Sequence, residues 1–328
     1  MTPPQTATLE LVRGDYSLPA APPPCAVAIG GFDSLHQGHQ AVIANTVARA
    51  AALGLPATVI FFEPLPVEFF RGGARVRVHT LRRRLELLSA LGARRALCLR
   101  FNRRVAAMSA KAFIDRVLVG GLAARHVTVG AGFRFGRGGA GDVATLRAAG
   151  ARAGFAVDAV PTVALDGERV SSSAVRAALR AGDIALAERY LARPYVVSGR
   201  VGRGAGRGAG LGFPTANLIV PRPPPLHGVF GAAVSLGAAP PRRAVVNAGL
   251  APTFGGERYK IEVHIPGLRA RLYARRLNVR LLKKLRDERK FASAAQLKAQ
   301  VEQDIAAAAG LALPAQPAQD RPPRPART

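Results

Sequence analysis

Between Ala26 and Pro194 short apolar runs alternate with amphipathic stretches, the pattern of a parallel sheet covered by helices. The apolar runs are CAVAIGGF, PATVIFFEP, ALCLRF, HVTVGAGF and FAVDAVPTV, predicting five strands. The segments NTVARAAALG, LRRRLELLSALG, SAKAFIDRVLVGGL and DVATLRAAGARAG read as helices, each ending on or beside a glycine, a common helix stop. SSSAVRAALRAGDIALAERYLARPY then opens on serines able to cap a helix start. Beyond Pro194 the rhythm shortens to β-like pieces divided by glycine and proline: YVVSGRV, HGVFGAAVSLG, RAVVNAGL, RYKIEVHIPG and RRLNVRLLKKL. That spacing predicts a small antiparallel barrel or sandwich. A last helix, SAAQLKAQVEQDIAAAAGL, carries Leu297, Val301 and Ile305 along one face. The expected organisation is an N-terminal segment 1–25, an α/β domain 26–194, a β domain 195–312 and a disordered tail 313–328, whose proline-rich polar composition offers nothing to pack.

Composition adds bounds. At 328 residues the chain can bury two apolar cores. Cys25 and Cys98 stand far apart, which supplies neither a disulfide framework nor a zinc cluster and suits a reducing compartment. No run of about 18 apolar residues could span a bilayer and the N-terminus lacks a signal-peptide pattern, so a soluble, cytoplasmic protein is expected, with no membrane partner. The net charge of +27 favours anionic partners. Only six of the 47 basic residues are lysines, and the arginines are spread along an alanine-rich chain, as solvated faces and codon bias would leave them.

The first strand-to-helix turn, AIGGFDSLHQGHQAVI, carries the sharpest chemical signal. In open α/β sheets this turn is a favoured phosphate site. Gly30 and Gly31 let the backbone bend closely, and a helix from about Gly38 turns free N–H groups and its dipole toward an anion. His36 and His39 are three residues apart, so one helical turn puts both rings on one side, an arrangement for stabilising charge on a phosphate in transfer. The turn is not a Walker A loop, and a metal site would lack a third ligand. In the second half, GRVGRGAGRGAGLGFPTANL reads as a flexible linker until LGFPTANL, where Thr215 and Asn217, two apart in an extended segment, can share a magnesium ion. In KIEVHI, alternation turns Glu262 and His264 to the face opposite Ile261 and Val263.

These segments, in this order, resemble nucleotidyltransferases with the HIGH-type motif, and more closely the bacterial bifunctional riboflavin kinase/FMN adenylyltransferases, also called FAD synthetases. FFEPLPVEFF, VGAGFRFGRGGAGD and VSSSAVRAALRAGD carry the first-half resemblance; GFPTAN, VNAGLAPTF, YKIEVHI and LRDERKFASAAQLKAQVEQD carry the second. The resemblance implies a Rossmann-like nucleotidyltransferase domain followed by a riboflavin kinase β-barrel with a C-terminal helix. It implies that His36 and His39 engage ATP phosphates, within a nucleotide-binding turn that includes Gly30, Phe32, Asp33 and Gly38. Ser172, Ser173 and Arg176 would grip the triphosphate, their hydroxyls and forked guanidinium suiting phosphate oxygens. In the second module Gly212 and Pro214 would line the nucleotide, Thr215 and Asn217 would hold Mg²⁺, and Glu262 would take the proton from the riboflavin 5′-hydroxyl. Arg286 is a weaker candidate for flavin contact, because KKLRDERK reads equally as a solvated charged face.

The implied ligands are riboflavin, FMN, FAD and ATP, with no specific nucleic acid and no stated oligomeric state. The chain departs from the family at Gly132, where an acidic or amide residue is usual, and around Ala209 and Gly210, where an arginine is usual and Arg207 stands nearby. Two other readings follow: a riboflavin kinase with weak or lost adenylyltransferase activity, and a basic nucleic-acid-binding protein on a nucleotidyltransferase-like fold. The latter has few aromatic residues and no recognised binding signature.

Overall fold

The computed structural model describes residues 9–14, 22–72, 76–204, 207–237, 239–253 and 256–315. Most of the expected tail lies outside these residues. The chain forms two compact units, one of residues 1–75 and 84–171, the other of residues 76–83 and 172–328. No helix is long and apolar enough to cross a membrane among the described residues.

The first unit is built on β1 (Glu10–Gly14), β2 (Cys25–Ile29), β3 (Ala57–Glu63), β4 (Arg95–Arg100), β5 (Ala124–Gly130) and β6 (Ala156–Val160). They form one sheet in the order β1-β4-β3-β2-β5-β6, parallel throughout. Strand β1 was not among the expected strands. It falls in the N-terminal segment, extends the sheet by one edge and pairs with β4, Glu10 meeting Arg95 at 3.0 Å. The connecting helices are α1 (Gln37–Ala52), α2 (Pro66–Arg71), α3 (Leu81–Ala90), α4 (Arg103–Ala106), α5 (Ala110–Phe113), which continues as a wider π turn to Val119, and α6 (Val143–Ala153). Their starts are fixed by side chains that take up free backbone N–H groups: Asn102 accepts from Val105, Ser109 from Ala112 and Asp142 from Thr145. The core under the sheet gathers Val27, Ile29, Ile60, Leu97, Leu99, Val127 and Val129 with Phe113, Val117, Phe135 and Leu146. A short hairpin of β7 (Ala164–Leu165) and β8 (Glu168–Arg169) closes this part of the chain.

Besides residues 76–83, the second unit takes up the chain from α7 (Ser172–Ala181) and α8 (Ile184–Leu191) onward. These helices were expected to end the α/β domain, so the compact units and the segments 26–194 and 195–312 divide the chain at different places. The strands β9 (Val196–Gly202), β10 (Thr215–Ile219), β11 (Gly228–Ser235), β12 (Arg242–Thr253), β13 (Gly256–His264) and β14 (Arg276–Arg286) close an antiparallel barrel in the order β10-β13-β12-β11-β14-β9. The single turn α9 (Arg207–Gly210) lies between β9 and β10, and α10 (Ala294–Ala309), capped by Ser293, packs on β11, β12 and β14.

Side-chain direction alternates along each barrel strand, and the registers sort the two faces. Ala216, Val263, Val246 and Phe230 are successive partners across four strands and are all buried. One residue along, Asn217 pairs with Glu262, Glu262 with Asn247, Asn247 with Val229 and Val229 with Arg286. The first row fills the barrel; the second faces outward, toward α10.

Candidate functional sites

In the first unit the turn after β2 delivers both expected histidines to the start of α1. His36 is the N-cap residue, its Nδ1 accepting from the His39 backbone N–H at 3.4 Å. The imidazoles stack with centroids 3.8 Å apart, and Phe32 meets His39 edge-on at 5.2 Å. Phe32 and Asp33 are buried, and Phe32 and Leu35 hold left-handed φ values of 42° and 50°, which folds the turn back on itself. Gly38 lies against the His36 ring, where a methyl group would approach Cε1 to 3.1 Å. The pairing inferred from spacing is present, though by stacking across a helix cap rather than by two exposed rings on a helical face.

Beside this turn opens a cavity of about 600 Å³. Gly30 and Gly31 form one side, and Phe62, Phe101, Phe113, Phe133 and Phe135 with Met108 supply an aromatic lining. Phe133 and Phe135 stack at 5.5 Å, and Phe62 meets Phe101 edge-on at 5.7 Å. Phe70, 66% exposed, stands at the rim. Among the described residues the one charged lining side chain is Arg134, steadied by donation from Nε to the Gly139 carbonyl at 2.8 Å. An aromatic slot with one cation suits a planar heteroaromatic ligand with an anionic end. Sequence reasoning did not single these phenylalanines out, since they come from four stretches of the chain, Phe133 and Phe135 sharing one, and read as core. Gly132 is exposed, with open space where a side chain would project.

Ser172, Ser173 and Arg176 stand in the first turns of α7, in the second unit. Arg176 is buried and donates from Nη1 to the Ser172 carbonyl at 3.2 Å.

The second unit carries a groove of about 370 Å³ on the outer face of the barrel. It brings together Thr215, Asn217, Glu262 and Arg286. Gly212, at φ +90°, and Pro214 build the bend that leads Phe213 and Thr215 into the wall, and the Pro214 carbonyl lies 2.9 Å from His264 Nδ1. The glycine-rich stretch is therefore no simple linker: Phe213 N–H bonds back to the Gly208 carbonyl at 2.8 Å. A methyl group at Gly204 would lie 2.6 Å from Asn217 Cγ, so the loop approaches that carboxamide as only glycine permits. The side chains of Arg207 and Ala209 lie outside the described residues.

Arg286 lines the groove, but its guanidinium is occupied. Nε and Nη2 grip the Asp304 carboxylate at 3.0 and 2.8 Å, and Nη1 donates to the Asp287 carbonyl. This fork ties the end of β14 to α10, with Phe291 packed against it at 5.7 Å. Leu297 and Val301 of α10, whose periodicity marked an apolar face, provide the greasy wall. Tyr259 donates its hydroxyl to the Leu226 carbonyl, and burial, with the Glu288 charge, raises its pKa. Thr215 and Asn217, two residues apart on β10, can hold a Mg²⁺ ion through a hydroxyl and a carbonyl oxygen. Among the described residues no cluster of three His, Cys, Asp or Glu side chains could hold a metal, so such an ion would complete its shell with phosphate and water.

Two pockets of such different chemistry, one in a parallel α/β unit and one on a closed barrel, define a chain with two ligand-binding modules. Known proteins agree: a family model described as FAD synthetase matches residues 18–174, and one described as riboflavin kinase matches residues 191–311. The bifunctional riboflavin kinase/FMN adenylyltransferase of Pseudomonas fluorescens is 43% identical over 93% of this chain and 99% of its own length. That of Escherichia coli K12 is 40% identical over 90% and 96%. The chain belongs to the bifunctional riboflavin kinase/FMN adenylyltransferase family. A crystal structure titled macrolide-efflux protein, from Streptococcus pneumoniae, shares the fold, with a TM-score of 0.81 at 25% identity over 93% of this chain and all of that one.

Proposed function

We propose that this protein makes FAD from riboflavin in two ATP-dependent steps: the barrel unit phosphorylates riboflavin to FMN, and the α/β module adenylylates FMN, releasing pyrophosphate. The observation that carries the reading is that the chain has two separate pockets, an aromatic slot beside a histidine-capped helix and a polar groove beside a glycine loop. It works in the cytoplasm, where ATP is supplied.

In the barrel groove Glu262 accepts the proton of the riboflavin 5′-hydroxyl as that oxygen attacks the γ-phosphorus of ATP; the β–γ bridging bond breaks and ADP leaves. The flavin ring lies along Leu297, Val301 and Phe291, and Arg286 contributes its aliphatic stem, since its donors go to Asp304 and Asp287. Thr215 and Asn217 would hold Mg²⁺, which neutralises phosphate charge when bound.

In the α/β module an FMN phosphate oxygen attacks the α-phosphorus of ATP, and pyrophosphate departs. No side-chain nucleophile takes part, so the protein contributes position and charge. The isoalloxazine enters the aromatic slot with its phosphate toward Arg134. His36 and His39 direct N–H groups at the ATP phosphates from the mouth of α1, with Phe32, Asp33 and the glycines 30 and 38 shaping that turn.

The test separates the two steps in one chain. His39→Ala is expected to lower FAD formation from FMN at least a hundredfold while riboflavin phosphorylation persists, and Glu262→Ala is expected to do the reverse. Parallel loss of both activities in each variant, followed chromatographically, would refute two sites.

A further inference from the structure

The outward row on the barrel contains one polar side chain that no step above employs. Asn247 lies in mid-β12 within VVNAGL, between buried Val246 and Ala248. It is the direct partner of Glu262 on β13, as Asn217 is on the other side. All three line the same groove. The Asn247 Oδ1 atom is buried and has no hydrogen-bond partner among the described residues. A buried carbonyl oxygen without a donor is costly, because its lost hydration is not replaced. Stability alone would favour an apolar residue in this strand.

The other members of the row suggest the donor. An ionised Glu262 can only accept hydrogen bonds, so it offers Asn247 Oδ1 nothing. Beyond Asn247 the row becomes apolar at Val229 before reaching Arg286. Partner strands are about 4.8 Å apart, so Asn247 stands one step from the base, a distance spanned by a few carbons of an extended chain. A substrate lying across the strands with its reactive hydroxyl at Glu262 and its ring toward Val229, Leu297 and Phe291 passes its polyol over Asn247. Gly249 keeps this stretch of β12 close to another groove residue, since a methyl group there would overlap the Glu288 carboxylate.

We propose that Asn247 is a positioning and specificity residue of the barrel site, its carboxamide oxygen accepting a hydrogen bond from an interior hydroxyl of the ribityl chain. The assignment rests on the barrel groove being the riboflavin kinase site. The hydrogen bond fixes the reactive end beside Glu262 and makes the site read the polyol as well as the flavin ring. A polar pocket group rejects an analogue lacking its partner, because the group is then left buried and unpaired.

The experiment uses the full-length chain, riboflavin and its 2′-, 3′- and 4′-deoxy analogues, with initial rates of ATP-dependent phosphorylation. Wild-type protein is expected to lose about ten- to a hundredfold in kcat/KM on one of the three analogues. Asn247→Ala is expected to lose a similar factor on riboflavin, mainly through the riboflavin KM, with the ATP KM held within twofold. On that same analogue it should lose no more than twofold further. Asn247→Ser, which keeps a short acceptor, is expected to recover part of the loss. Equal wild-type rates on all three analogues would overturn the assignment, and this arm needs no variant to fold. Independent, multiplying losses from the Asn247→Ala change and from every deoxy substitution would overturn it as well. Wild-type protein unable to phosphorylate riboflavin would instead refute the reading of the groove.

Discussion

Replacing Gly204 by alanine tests the cation-and-phosphate role proposed for one end of the barrel groove with a single methyl group. Its φ lies outside the left-handed region, so alanine meets no backbone strain there. The obstacle is Asn217, whose Cγ would lie 2.6 Å from the new methyl and whose Oδ1 would lie 3.0 Å from it. Ordinary contact begins near 3.4 Å, so the carboxamide must retreat by about 1 Å or turn away. In the role proposed for Asn217, a displacement of that size costs about a hundredfold in rate, or roughly 2.7 kcal/mol of transition-state stabilisation. Gly→Ala in a loop also removes unfolded-state entropy, worth about 0.4 to 1 kcal/mol toward stability, which offsets part of the local crowding. The expected outcome is a fall in riboflavin phosphorylation of about a hundredfold, a melting temperature within a few degrees of wild type, and unaltered conversion of FMN to FAD. Chromatographic separation of riboflavin, FMN and FAD measures all products. Undiminished phosphorylation by Gly204→Ala would show that the Asn217 carboxamide is not needed where the loop holds it, and the mechanism at that end of the groove would fail.

At Gly132, where the family resemblance implies an acidic or amide residue, the exposed backbone and open space should accept a side chain, so Gly132→Asn is expected to shift stability by less than about 0.5 kcal/mol and to raise kcat/KM for FAD formation severalfold. Unchanged or slower FAD synthesis would show that this position does not limit the step. Asp304→Ala leaves the Arg286 guanidinium without its carboxylate partner and loosens α10; a loss of about 2 to 3 kcal/mol by urea titration and a higher riboflavin KM are expected, with FMN adenylylation unchanged. A wild-type denaturation midpoint would remove the role given to that fork. Burial lowers the pKa of His126 from its usual 6.5, more than the neighbouring Asp158 restores it, so the unfolded chain binds that proton first and stability falls as pH drops below about 6.5. Asp158, also lowered, adds its loss only below about 3.8, the hydrogen bonds from Arg49 and Asn45 and the charge of His126 together outweighing its burial. His126→Gln should flatten the slope between pH 6.5 and 5; an unchanged slope would exclude His126 as its source.

The parts of this protein that sequence reveals are those governed by local periodicity. KIEVHI alternates strictly, and the barrel honours it, with Ile261 and Val263 inside and Glu262 in the groove. His36 and His39 are near in sequence and meet in space, although the sequence could not show that one caps the helix while its ring stacks on the other. What escapes is what distant segments build together. The aromatic slot draws on residues from Phe62 to Phe135, and nothing local distinguishes a phenylalanine lining a cavity from one filling a core. The same holds for Arg286: KKLRDERK reads as a solvated face, and only folding brings Asp304 against it. ELVRG is too short, and too evenly half-exposed, to announce a strand.

That edge strand has a practical bearing on handling the protein. Five residues close to the start of the chain lie in register along β4, whose Ala96, Leu97 and Leu99 are buried. Trimming the leader past Gly14 would uncover a row of unpaired amides beside these apolar side chains, a template for stickiness between molecules. A shortened version that precipitates would thus report a bared seam, with both pockets still whole.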